Sequence, residues 1–130
     1  MSPFHDPFGF PLPVVVRVYL RISGLWKLTD AQAAALAGTD TYNLDDWRSG
    51  DLIDITTDMH LRMGHLLGIY GALATLLGDT PQGDGWIQRP NQAALFEDAS
   101  ALDYMLGVTV EWIVEVHRYL YAEMWGNVGG

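Results

Sequence analysis

Thr56-Thr57-Asp58-Met59-His60-Leu61-Arg62-Met63-Gly64-His65-Leu66-Leu67-Gly68-Ile69-Tyr70-Gly71-Ala72-Leu73-Ala74-Thr75-Leu76-Leu77-Gly78 is the longest stretch of this sequence that keeps a helical period. Met59, Met63, Leu66, Leu67, Tyr70, Leu73, Ala74 and Leu77 recur at intervals that place them along one apolar face of a helix. Thr56 or Thr57 supplies a capping hydroxyl at its start, and Gly78 supplies a stop. A helix of this length must be the central element of so short a chain. His60, Arg62 and His65 make it a poor membrane span. Gly64, Gly68 and Gly71 each cost about 1 kcal/mol relative to alanine in a helix interior, a cost best explained by close approach of another helix.

Towards the N-terminus, Val16, Val18, Leu20 and Ile22 alternate with Arg17, Tyr19 and Arg21 as a strand would. Val15, Val18, Tyr19, Ile22, Leu25 and Trp26 also fit a helical stripe, and length favours the helix. Arg17, Arg21 and Lys27 then gather on or near its opposite side. Thr29-Asp30-Ala31-Gln32 is a capping box leading into the alanine run that ends at Gly38. Asn43 or Thr41 caps a further short helix through Trp47, with Asp45 and Asp46 in its first turn and Gly50 beyond its end. A longer helix followed by two short ones makes residues 14–55 a helix-turn-helix candidate. Residues 1–13, with Pro3, Pro7, Pro11 and Pro13, read as an arm.

Beyond Gly78, Thr80-Pro81 offers a cap with proline at the first helical position, and Arg89-Pro90-Asn91 breaks the chain after Trp86-Ile87. Ser100 caps a short helix through Leu106 that Gly107 closes. Thr109 caps a last helix to about Met124, with Ile113, Val116, Leu120 and Met124 along one face. The expected fold is all-α: arm 1–13, helix-turn-helix-like region 14–55, central linking helix 56–78 and a helical region 79–130.

The 130 residues are 49% hydrophobic and 18% charged, enough apolar surface for a packed core. The absence of cysteine excludes disulfides and thiolate chemistry. The first residues carry no basic run, so a cytoplasmic protein is expected. Net charge is −9. Residues 79–130 hold eight acidic and two basic side chains, against eight and five in residues 1–78. That imbalance suits a basic protein partner and disfavours bulk attraction to phosphate. His60 and His65 are five apart, the wrong spacing for two ligands on one helical face, so no metal is expected. Glu111, Glu115 and Arg118 read as a solvated ion-pair face. With no phosphate-binding loop and no nucleophile elbow, no catalytic residue and no cofactor is expected.

One polar feature remains: Trp86-x-x-Arg89-Pro90-Asn91-x-x-x-Leu95-Phe96. Taken alone it is a linker in which Asn91 turns the chain, Arg89 neutralises nearby acid, and Trp86 and Phe96 anchor both ends. Together with Ser100-Ala101-Leu102-Asp103-x-Met105-Leu106-Gly107 and Val116-x-Arg118-Tyr119-Leu120-x-Ala122, it closely resembles the toxin-binding domain of the Xre/MbcA/ParS antitoxin family. Leu66-Leu67-Gly68-Ile69-Tyr70-x-Ala72-Leu73 is similar to that family's joining helix, and the likeness runs from about Val14 to Gly126.

The resemblance implies a type II antitoxin whose partner is a RES-type toxin, an enzyme that destroys NAD, and which acts by covering the toxin's active site. It implies Trp86, Arg89, Asn91, Phe96, Arg118 and Tyr119 as residues that contact toxin or support those that do. Homodimer and hetero-oligomer both stay open from the sequence. The alternative is a helix-turn-helix regulator acting mainly through operator DNA, with Arg17, Arg21, Lys27 and Arg48 as its contacts. The segment from Tyr42 to Asp51 carries three aspartates and one arginine, so weak DNA binding is expected of the free chain.

Overall fold

The structure, a computed structural model, describes residues 11–52, 55–78, 81–93, 95–107 and 109–129. Most of the proline-rich arm and the capping residue Thr80 lie outside them. The elements are α1 (Leu12–Leu25), α2 (Asp30–Leu36), α3 (Thr41–Arg48), α4 (Thr57–Leu77), α5 (Pro81–Gly85), a 3₁₀ turn (Trp86–Gln88), α6 (Ala101–Met105) and α7 (Glu111–Gly129). The fold is all-α. Two compact units divide the chain, Met1–Leu67 and Gly68–Gly130.

In the first unit the ambiguous Val14–Trp26 segment is helical, because Val15, Val16, Tyr19 and Ile22 then bury together on one face. The Tyr19 hydroxyl, fully buried, donates to the Ala33 carbonyl and so ties α1 to α2. Burial raises the pKa of that phenol well above its ordinary value. The Thr29–Gln32 capping box forms in both directions, at 3.0 and 3.1 Å.

All three helices end in the same way. The amides of Lys27 and Leu28, of Gly38 and Thr39, and of Gly50 and Asp51 turn back onto the last carbonyls of α1, α2 and α3 respectively. Gly38 and Gly50 take the left-handed backbone that this turn requires, and so does Lys27, at φ 57°. Lys27 therefore lies past the end of α1 rather than on the helix that holds Arg17 and Arg21. Gly38 has a second role: a Cβ there would lie 2.9 Å from Arg62 Cδ. The Arg62 side chain, 9% exposed, crosses the glycine to meet Asp58 at 2.8 Å.

The cap of α3 differs from the sequence expectation. Asp40, not Asn43 or Thr41, precedes the helix, and its carboxylate accepts from the Asn43 amide at 2.8 Å. Asp40, Thr41 and Asn43 are all good capping residues, and a carboxylate gains most from the helix N-terminal field. For α4, Thr56 is the cap, accepting from Met59 N at 3.1 Å.

In the second unit, Ile69, Leu73, Ile87, Phe96, Met105 and Ile113 are among the buried side chains. Ser100 caps α6 by accepting from Asp103 N at 3.0 Å. α6 packs on the 3₁₀ turn and on α7. Helix α7 continues to Gly129, beyond the expected end near Met124. The glycines of α4 divide: a Cβ on Gly68 would lie 2.4 Å from the His117 ring of α7, whereas one on Gly71 would meet nothing within 4 Å. Close helix approach thus explains Gly68 and does not explain Gly71.

Candidate functional site

The segment between the 3₁₀ turn and α6 is a closed loop. Pro90 and Ser100 pair as an antiparallel bridge, Asn91 N–H donates to Ala99 O at 3.0 Å, and Asp98 N–H donates to Asn91 O at 3.1 Å. The Asn91 side chain accepts from Ala93 N at 2.9 Å and shapes the turn inside the neck. Asn91 therefore holds the loop together with both backbone and side chain.

Phe96 plugs the base of this loop at 2% exposure. Three rings meet it edge-on: Trp86 at 5.8 Å, Tyr104 at 5.6 Å and Tyr119 at 5.5 Å between centroids. Trp112 extends the cluster through Tyr104 at 4.8 Å. Edge-to-face pairs of this kind add about 0.5–1.5 kcal/mol each beyond simple burial. Gly107 makes room for Trp112, since a Cβ there would lie 2.8 Å from the indole. Burial raises the pKa of both tyrosines, with Glu115 adding to the effect at Tyr104 and Glu123 at Tyr119.

Three of the six residues singled out in the sequence, Trp86, Phe96 and Tyr119, thus converge on one cluster. Phe96 is its interior. Trp86 and Tyr119 also line an open groove of about 240 Å³, walled by Leu73, Leu76, Leu77 and Leu120, with Glu123 at its side. Arg89 lies at the exposed neck, where its guanidinium folds over Gly85; a Cβ there would be 3.1 Å from Nη1. Arg118 stands apart, about 100° round α7 from Tyr119, with its side chain 73% exposed and Glu115 3.8 Å away. Six carboxylates of this unit are exposed, Glu97 and Asp98 on the loop and Asp103, Glu111, Glu115 and Glu123 on α6 and α7.

The four candidate DNA contacts, Arg17, Arg21, Lys27 and Arg48, do not form one cluster of free charges. Arg17 and Arg21 are exposed on α1. Arg48 is bound to Asp30 at 2.8 Å and Asp45 at 3.1 Å. The hydrogen bond from Arg48 holds the Asp30 carboxyl below its ordinary range. Arg17 and Arg48 do share the wall of a groove of about 380 Å³ with Pro13, Val16, Leu20 and Trp47. Among the described residues, no group of three or more His, Asp or Glu side chains is placed to hold a metal ion, and no helix is long and apolar enough to cross a membrane.

Sequence reasoning did not single out Leu73, Leu77 and Glu123 as groove residues, because α4 and α7 must first be placed side by side. It also passed over Trp112, Tyr121 and Trp125, exposed at 41%, 53% and 58%. Their signal was present: the apolar face Ile113–Val116–Leu120 leaves Tyr121 and Trp125 on the outside of the same helix.

A helical unit with an exposed aromatic and acidic surface is suited to binding another protein. Residues 72–126 match the family model described as the antitoxin Xre/MbcA/ParS C-terminal toxin-binding domain. That match sets the class: an antitoxin, the protein of a toxin–antitoxin pair that binds the toxin. The chain is also 33% identical over 116 residues to y4oB of Sinorhizobium fredii, an uncharacterized protein, with 88% of each chain covered. The chain belongs to the Xre/MbcA/ParS antitoxin family.

Proposed function

We propose that the toxin held by this antitoxin is a RES-type enzyme that degrades NAD, and that the antitoxin acts without chemistry of its own by covering the toxin's active site. The observation that carries this reading is the acidic surface of the second unit, which exposes six carboxylates, two on the loop and the others on α6 and α7. An enzyme that binds the phosphates of NAD needs a cationic pocket. An acidic, preformed surface is attracted to that pocket and competes with an anionic ligand for it.

In this reading Trp86, Tyr119 and Arg89 face the toxin, Asn91 and Phe96 hold the loop and cluster in shape, and Arg118 contributes from the outer side of α7. Residues 79–130 form the toxin-binding region, 56–78 the linking helix and 14–55 a helix-turn-helix-like region whose DNA binding is secondary. The pair acts in the cytoplasm, where the NAD pool is, as a hetero-oligomer.

Co-expression tests the proposal. The product of the adjoining reading frame, expressed alone, should deplete cellular NAD and stop growth, and this chain should restore both. If soluble antitoxin forms a complex with that product and NAD was never depleted, the toxin class is wrong.

A further inference from the structure

Helix α7 carries two stripes of side chains suited to burial, and the fold uses one of them. Ile113, Val116 and Leu120 are buried, none above 2% exposure. Val114, Arg118, Tyr121 and Trp125 follow one another at intervals of four, three and four, which aligns them along a second side of the helix, roughly 130° from the first. Tyr121 and Trp125 are 53% and 58% exposed. Their rings meet at 5.8 Å, so they form one assembled patch rather than two separate side chains. Arg118 Nη1 is 3.8 Å from Glu115 Oε1, too far for a charge-assisted hydrogen bond.

Tyrosine, tryptophan and arginine are the residue types that most often dominate binding energy at protein interfaces. A helix offering them at this spacing matches the way amphipathic helices seat in a partner's groove. The whole stripe lies inside residues 72–126, the span of the toxin-binding domain. Charge chooses between occupants. Glu111 and Glu115 are exposed along the flank of this stripe, which carries a single arginine. Pairing this helix with its own copy sets like charges together, whereas a basic partner gains from them.

We infer that Val114, Arg118, Tyr121 and Trp125 form a docking stripe that seats in an apolar, basic-rimmed groove of the cognate toxin, with Tyr121 and Trp125 as its anchors. This rests on the antitoxin reading; Arg118 is part of the motif that identified it, and Val114, Tyr121 and Trp125 are new.

The test compares wild type, Tyr121→Ala/Trp125→Ala and Trp125→Phe by calorimetric titration with the purified product of the adjoining reading frame. Melting temperature and light-scattering mass are measured on the free chains. The double variant should bind about 30-fold or more weakly with its melting point unchanged, and Trp125→Phe should keep affinity within about tenfold. Binding by the double variant within about threefold of wild type overturns the inference. So does a fall of more than about 4 °C in melting point, which places the rings in the fold. A free wild-type dimer that the double variant abolishes also overturns it, because the occupant is then a second copy. The two readings fail separately: a stripe-dependent complex whose partner leaves NAD intact removes only the toxin class, and stripe-independent neutralisation of an NAD-degrading partner removes only the stripe. If wild type forms no complex, both fall.

Discussion

Two glycines three residues apart on α4 should respond to the same substitution with opposite sign. Gly71→Ala places a methyl group where nothing lies within 4 Å. It removes the backbone freedom that glycine brings to a helix, for a gain of about 1 kcal/mol. With cooperative unfolding of 130 residues, that is a rise of about 4 °C in melting point. Gly68→Ala brings the same gain and adds a collision, because its Cβ would sit 2.4 Å from His117 Cε1 and Nε2. Ordinary contact needs about an ångström more, so the imidazole or α7 itself must retreat. Overpacking of this kind costs about 1–3 kcal/mol, which cancels or exceeds the helix gain. Thermal unfolding of the two variants should therefore separate them by about 4 °C or more, with Gly68→Ala below. In a His117→Ala background the obstruction is gone, and Gly68→Ala should then stabilise as Gly71→Ala does. Equal stabilisation at both positions in the wild-type background would refute the close approach of α7 to Gly68.

Other perturbations separate fold from binding. Phe96→Ala should cost about 3–5 kcal/mol, since it empties the centre of three edge-on ring contacts, while Arg89→Ala should leave melting unchanged and weaken toxin binding; a melting loss for Arg89→Ala as large as that for Phe96→Ala would move Arg89 from the surface into the fold. Burial holds His65 below its ordinary pKa of 6.5, so the unfolded chain takes up the proton first. The stabilisation from keeping His65 neutral is complete above pH 6.5 and is lost as pH falls through that value towards the lower folded pKa. Melting temperature should accordingly drop between about pH 7 and pH 5, and less steeply in His65→Gln; equal slopes count against the assignment. Asp30, held below 3.8 by Arg48, titrates beneath this window. The free chain should shift its own promoter DNA only weakly near physiological salt, because Arg48 is already paired with Asp30 and Asp45; nanomolar, sequence-specific binding in a mobility-shift titration would reverse that expectation.

What the sequence disclosed was local. The Thr29–Gln32 box, the Ser100 cap and the stops at Gly38 and Gly78 each involve residues a few positions apart, and each is present as read; the α4 helix is present too, but its buried side runs through Met63, Leu66, Ile69, Ala72 and Leu73, with Leu77 exposed. The α3 cap was harder because Asp40, Thr41 and Asn43 all cap well. The end of α7 was placed too early, near Met124, where the apolar face ends, yet the helix runs on to Gly129. Long-range pairings were beyond reach. Arg48 meets Asp30 across 18 positions of sequence, and no spacing rule foretells that a candidate DNA contact is already occupied. The gathering of Trp86, Phe96 and Tyr119 is of the same kind: the motif named all three, and only the packing of the loop against α7 shows that one is interior and two are partly open.

The neck of the closed loop has a consequence for how such antitoxins diversify. Because Pro90 bridges Ser100, and Asn91 is bonded to Ala99 and Asp98, the chain leaves the loop at the place where it entered. Residues inside the neck can be exchanged, lengthened or shortened without changing the register of α6 or α7, so long as an aromatic plug returns to the position of Phe96. The loop is in effect an interchangeable cassette on a fixed frame. Selection for a new partner can then act most freely on Gln92 and Ala93, since Glu97 and Asp98 hold left-handed backbone at φ 49° and 69° that few side chains adopt, and loops grafted between relatives at these two junctions should carry recognition with them.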